Sequence, residues 1–245
     1  DLSGGHEFAL AIRDDGTVAA WGDAQGGQLA VPAGLADVVQ TAAGDQFSLA
    51  RRADDTLVGW GQTPLGTASG VTAMCAGAGH AMVITSSGLE GHGADDFGQA
   101  SPPQGLVDPV AVACGDQHTV VLDANGGVVA FGRNDLGQAT APGVTGALDV
   151  AAGAGLSAAV LSDGTVTAWG QDPGGLLAWL GTVSDAVGVE MRGETTVVWH
   201  ATGDISTWSP AVGGLTRPLL DATATDAGPL LLSGPDCADI NECTE

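Results

Sequence analysis

The stretch Gly153–Gly170, Gly-Ala-Gly-Leu-Ser-Ala-Ala-Val-Leu-Ser-Asp-Gly-Thr-Val-Thr-Ala-Trp-Gly, decides the fold. It reads as two short strands about a tight turn. Ser157–Leu161 is apolar and contains a Val. Asp163-Gly164 is a turn pair, because glycine takes positive φ without steric cost and aspartate bonds its own nearby backbone. Thr165–Trp169 alternates β-branched and small residues up to an aromatic, and Gly170 ends it.

This unit recurs along nearly the whole chain. Aligned on Gly-x-x-(Phe/His/Leu), copies start at Gly5…Phe8, Gly44…Phe47, Gly77…His80, Gly115…His118 and Gly153…Leu156. Degenerate starts follow at Arg192…Thr195 and near Asp226. The spacings are 39, 33, 38, 38, 39 and 34 residues. Each start leads to a turn: Asp15-Gly16, Asp54-Asp55, Ser87-Gly88, Asn125-Gly126, Asp163-Gly164 and Thr202-Gly203. The second strand ends at Trp21-Gly22, Trp60-Gly61, His92-Gly93, Phe131-Gly132, Trp169-Gly170 and Trp208-Ser209. A Gly-Gln turn follows in three copies, at Gly27-Gln28, Gly98-Gln99 and Gly137-Gln138. Each cycle closes on a strand of small and apolar residues, such as Asp37–Ala43, Val110–Cys114 and Leu148–Ala152.

Each cycle therefore holds three short strands, with a weak fourth in a Pro loop as an option. Such a unit cannot bury its apolar faces alone, so stacked neighbours supply the core. Closed radial repetition also protects sheet edges. A period near 40 with three or four strands per cycle points to an all-β fold, a β-propeller. A linear solenoid would need a shorter coil.

The copies also resemble a known family. Ala113…Leu122 (Cys114 in place of the second Ala), Asp163…Gly170 and Asn134…Gln138 are similar to the signatures of the regulator of chromosome condensation repeat. Those signatures are Ala-Ala-Gly-x-x-His-(Ser/Thr)-x-x-Leu, Asp-Gly-x-Val-x-x-Trp-Gly and Asn-x-x-Gly-Gln. The resemblance covers about residues 5–233 and implies a seven-bladed propeller. The short cycle is similar to that of the bacterial branch, which includes a secreted β-lactamase inhibitor protein. Seven blades are expected, one of them incomplete or shared between the chain ends, with the missing strand before Asp1. Six is the alternative, because only six second strands match the seven starts.

The tail departs from the repeat. Asp236–Cys243 resembles the opening of a calcium-binding EGF-like module, Asp-Ile-Asn-Glu-Cys. That implies a propeller over residues 1–234, and a linker with the start of such a module over 235–245. It also implies an extracellular, disulfide-forming setting and further EGF-like modules downstream. Asp239 and Glu242 would be Ca²⁺ ligands once the module is completed, since hard oxygens suit that ion. No cofactor is expected in the propeller.

Composition narrows the function. The net charge is −23 and there is no Lys. Such a surface repels phosphate backbones and anionic membrane, which argues against nucleic-acid partners and against the chromatin role of the family's eukaryotic members. No apolar run of about 18 residues is present, so no transmembrane helix is expected. No Gly-x-Ser-x-Gly elbow, phosphate loop or zinc-type Cys/His spacing appears, so no enzyme is expected. Acid pairs such as Asp14-Asp15 and Asp95-Asp96 read as turn formers.

His80 and His118 occupy a position that takes Phe or Leu elsewhere, so they read as core residues bonded to neighbouring backbone; His92 replaces the repeat Trp and reads likewise. His6 and His200 are isolated. Trp21, Trp60, Trp169 and Trp208 read as blade packing. Trp179 and Leu177, in an apolar loop that replaces the Gly-Gln turn, Trp199 beside His200, and Phe97 at a turn tip read as anchors for a protein partner. Sealing of imperfect blades is the other reading. Cys75 and Cys114 end adjacent inner strands, offset by one residue, and fit either a disulfide or two buried thiols. A purely structural spacer and an enzyme with acids and His at the axis are the remaining alternatives.

Overall fold

The structure, a computed structural model, describes residues 2–62, 65, 67–210 and 213–218. Six antiparallel sheets follow one another along the chain. The first holds β1 (Leu2–Gly4), β2 (Phe8–Ile12) and β3 (Val18–Gly22), and the second β4 (Val38–Ala43), β5 (Phe47–Arg52), β6 (Leu57–Gly61) and β7 (Thr67–Ala68). The third holds β8 (Val71–Ala76), β9 (His80–Thr85) and β10 (Gly88–Gly93), and the fourth β11 (Pro109–Cys114), β12 (His118–Asp123) and β13 (Val128–Gly132). The fifth holds β14 (Ala147–Ala152), β15 (Leu156–Leu161) and β16 (Val166–Gly170). After the short helix α1 (Leu176–Leu180) comes the sixth: β17 (Ala186–Arg192), β18 (Thr195–His200), β19 (Asp204–Ser209) and β20 (Gly213–Pro218). The expected Thr165–Trp169 strand is β16, and residues 176–180, expected as a loop, form one helical turn.

The first strand of each sheet packs against its successor: β1 on β4, β4 on β8, β8 on β11, β11 on β14 and β14 on β17. These strands are the inner ones of a propeller, and β1 and β17 have no comparable packing. Apolar side chains interdigitate between successive sheets. Leu156, Ala158 and Val160 of the fifth face Val189, Met191, Val198 and Trp208 of the sixth. Trp60 and Trp169 likewise each pack back onto the preceding sheet. Trp21 is the exception. Its equivalent Trp169 is 7% exposed, but Trp21 is 50% exposed, because no described residue covers the back of the first sheet.

Both ends of the sheets are stitched. At one end, the starts of β4, β14 and β17 donate to the hairpin turn of the preceding sheet, Val38 N to Gly16 O (3.0 Å), Ala147 N to Gly126 O (3.0 Å) and Ala186 N to Gly164 O (2.9 Å), whereas β11 begins at Pro109, which has no N–H. The Asp-Gly turns are locked there by the aspartate, which accepts from the following Thr: Thr165 Oγ1 to Asp163 Oδ1 is 2.6 Å and Thr165 N to the same oxygen 3.0 Å. At the other end, the turns after the inner strands form a belt: Asp45 N to Ala78 O (3.1 Å), Asp116 N to Gly153 O (3.3 Å) and Ala154 N to Gly193 O (3.0 Å). Glycine is required at Gly77 and Gly115, where a Cβ would collide with the rings of His80 and His118.

Candidate functional site

The Gly-Gln turns explain much of the repeat signature. Gln28, Gln99 and Gln138 are buried, and each side-chain Oε1 accepts the amide two residues earlier: Gly26 N (2.7 Å), Phe97 N (2.9 Å) and Leu136 N (2.9 Å). Each glutamine carbonyl then accepts from the next sheet. Gln138 O takes Ser157 Oγ at 2.8 Å and Trp169 Nε1 at 2.9 Å. Gln28 O takes Ser48 Oγ at 2.9 Å and Trp60 Nε1 at 2.7 Å. Gln99 O takes Thr119 Oγ1 at 2.8 Å, with Phe131 in the Trp position.

The histidines complete this staple. His118 Nε2 lies 2.9 Å from Ser157 Oγ, and His80 Nε2 lies 3.1 Å from Thr119 Oγ1. Each hydroxyl spends its proton on the glutamine carbonyl, so the imidazole must donate from Nε2. Both rings are fully buried. These residues are buried in the core, and each ring reaches a hydroxyl of the next sheet. Burial holds both imidazoles down to about 4, and the neighbouring His80 adds to the effect on His118. They are neutral at physiological pH.

Against this regular frame, the side chains that packing does not use stand out. Phe97 is 47% exposed at the tip of its turn, and Leu136 has the same place one sheet on. The Arg133 guanidinium sits 5.3 Å from the centre of the Phe97 ring, held by Asp135 at 2.6 Å and by Gln117 at 2.7 Å. Leu177 and Trp179 project from α1, which replaces the Gly-Gln turn of the fifth sheet, and both pack partly on the core between sheets five and six. The Trp179 indole also lies against Gly214, where a Cβ would collide. Trp199 is half-buried against Gly188, on the face of the sixth sheet turned away from the fifth. Phe97, Leu136 and α1 each stand at the Gly-Gln end of their sheet, and Trp199 lies elsewhere.

Charges that the sequence reading missed meet at the axis, at the belt end of the inner strands. Asp45, Asp116, Glu190, Arg192 and His6 act on one another electrostatically. Burial pushes the Glu190 carboxyl up to about 7, and Asp149 adds to this while Arg192 opposes it. Asp149 is raised by burial against two amide hydrogen bonds, from Val189 N and Val150 N, both at 2.9 Å. No sequence signal marks this convergence, since His6, Asp45 and Asp116 come from turns of three different sheets and Glu190 and Arg192 from β17 of a fourth. Among the described residues no group of His, Cys, Asp and Glu is arranged to hold a metal.

His200 is not isolated. Its Nδ1 lies 3.0 Å from Asp185 Oδ1 and its Nε2 2.7 Å from Ser206 Oγ, the order of a nucleophilic triad. Ser206 is buried, however, so a substrate carbonyl cannot reach it, and the three residues tie a hairpin to the strand entrance beside it. Cys75 and Cys114 are joined by a disulfide across β8 and β11, with Cα atoms 5.5 Å apart. Asp239 and Glu242 lie outside the described residues.

Residues 110–138 match the regulator of chromosome condensation (RCC1) repeat. No curated protein sequence shows significant similarity to the chain. Among solved structures, Prp20p of Saccharomyces cerevisiae, described with its binding to Gsp1p and histones, is similar at a TM-score of 0.68 and 16% identity. The match covers 84% of this chain and 70% of that one. The ectodomain of the Arabidopsis thaliana receptor kinase ACR4 is similar at 0.65 and 16%, over 89% and 78%. That of the Physcomitrella patens receptor kinase CR4 is similar at 0.66 and 18%, over 85% and 63%. The protein thus has an all-β propeller fold similar to that of RCC1-like proteins. More particularly, its fourth sheet with the following Gly-Gln turn carries the RCC1 repeat itself. Among the described residues no helix is long and apolar enough to cross a membrane.

Proposed function

We propose that this chain is a non-catalytic protein-interaction module of a secreted or cell-surface protein, bound through its Gly-Gln end. One observation carries this reading. Phe97 and Leu136 are held exposed on turns whose buried glutamines do not require an apolar tip, since the first copy has Gly26 there. Rigid exposed aromatics beside an arginine are the usual anchors of a protein interface. Prp20p binds protein partners and the receptor-kinase relatives are ectodomains, which supports both halves of the reading. A Cys75–Cys114 disulfide also suits an oxidising compartment.

Seven blades, one shared by the chain ends, fit the exposed Trp21 and a sixth sheet against which no further sheet packs among the described residues. The division into 1–234 and 235–245, downstream EGF-like modules, Ca²⁺ at Asp239 and Glu242, and a propeller free of cofactors complete the proposal. Phe97→Ala with Leu136→Ala tests it: binding to a partner should fall at an unchanged melting temperature, and unchanged binding would count against this surface. A bacterial, β-lactamase-inhibitor-like binder is the narrower version, excluded if micromolar protein leaves a class A enzyme fully active.

A second reading rests on the axis. Glu190 beside Asp149 is a carboxyl titrating near neutrality, the environment of a general acid. If Glu190→Gln and Asp149→Asn leave every activity found unchanged, the axial charges only shape the surface potential.

A further inference from the structure

Each inner strand from the second sheet to the sixth is bulged at its second residue. The register with the neighbouring strand shifts between Val38 and Gln40, Val71 and Ala73, Pro109 and Ala111, Ala147 and Asp149, and Ala186 and Gly188. A bulged residue leaves the ladder and bends its strand. The residues so displaced are Val39, Thr72, Val110, Leu148 and Val187, one per sheet. The four aliphatic ones are 45%, 51%, 62% and 54% exposed. Because the inner strands pack in succession, these side chains form an arc around the axis, at the end that carries the Asp-Gly turns.

The fold gives no reason for this chemistry. Thr72 stands at the same place with its hydroxyl on Ile84 O (3.2 Å), so the bulge accepts a polar side chain. Single exposed aliphatics are ordinary, but four at one repeat position are a patch. The rim is acidic: Asp37, Asp108 and Asp185 come directly before three of these strands, and Asp14, Asp54 and Asp163 stand in the adjoining turns, all exposed. Arg13, Arg51 and Arg52 share this end, and Arg51 is paired with Asp55 at 2.9 Å. An apolar centre inside a carboxylate rim complements a segment with aliphatic side chains flanked by Lys or Arg.

We propose that the Asp-Gly-turn end of the axis is a second docking surface, and that its occupant is a basic, aliphatic segment of a partner protein. The site lies at the opposite end of the sheets from Phe97 and is independent of it. The test uses a fluorescent peptide of four Leu-Lys-Gly repeats, with a Ser-Lys-Gly peptide as its polar counterpart. The Leu peptide should bind, more weakly as salt rises. Leu148→Ser with Val187→Ser should weaken it about tenfold, from the lost apolar contact. Val39→Ser with Val110→Ser is the second pair should the first unfold, and Val129→Ser, exposed on an outer strand, should change nothing. Equal binding of the Ser peptide, no binding at all, or indifference to both pairs overturns the proposal. Self-association abolished by the same substitutions also overturns it, since the occupant is then a second copy.

Discussion

His118 Nε2 stands 2.9 Å from Ser157 Oγ, 39 residues away and in the next sheet. That hydroxyl in turn donates to Gln138 O, which also receives Trp169 Nε1. The repeat's His, Ser, Gln and Trp are therefore one inter-sheet staple. Ser157→Ala leaves a buried imidazole N–H without an acceptor, which costs about 1–3 kcal/mol. Thr196 occupies the same place in the sixth sheet, but Leu156 replaces the histidine and α1 the Gly-Gln turn, and its buried Oγ1 has no partner among the described residues. Thr196→Val should be neutral or stabilising. Denaturant melts of both variants check the pair of expectations, and equal losses would refute the staple.

The two buried histidines set an acid limit. Unfolded, each binds a proton near pH 6.5; folded, each stays neutral down to about 4. The unfolded chain holds more protons in that window, so their contribution is present above 6.5 and is lost as pH falls through it, up to about 3 kcal/mol per histidine. Glu190 has the opposite sign. Its carboxyl is raised from 4.5 to about 7, so its contribution is present below 4.5 and is lost as pH rises through 7. His80→Phe with His118→Phe, copying Phe8 and Phe47, should flatten the pH dependence of the denaturation midpoint between 4 and 6.5. An unchanged slope contradicts this.

The Cys75–Cys114 link closes a loop with a sequence separation of 39. Loop closure of that size is worth about 2–4 kcal/mol. Alkylation under non-reducing conditions should find both thiols blocked, and dithiothreitol should lower the melting temperature. Free thiols in protein purified without reductant would refute this.

Trp21 reports on closure. In a seven-bladed ring it is covered like Trp169. Acrylamide quenching of wild type and Trp21→Phe should then differ little. If Trp21 supplies the strongly quenched part of the emission, no further sheet closes onto the first one.

How far the sequence could be read follows from where each signal lives. Turns, strands and the Trp-Gly ends are local and repeat, so they are legible in one copy and certain in six. The Gln and His roles were not, because their partners across the sheets lie 19 to 39 residues away and only the register brings them together. Asp149, Glu190 and Arg192 were missed for the same reason. The exposure of Trp21 among the described residues was not legible either, because its packing depends on a neighbouring sheet and not on its own strand. The bulged Val39, Val110, Leu148 and Val187 read as ordinary strand residues, since a bulge leaves no mark in apolar periodicity.

The central question is whether the exposed Gly-Gln end binds protein. Site-specific photo-cross-linking from position 97 compared with position 129, on the native cell surface or in the secreted fraction, measures this most directly. The account predicts a discrete adduct from position 97, competed by the wild-type protein but not by Phe97→Ala with Leu136→Ala. The same adducts from both positions, or competition by both proteins alike, would contradict it.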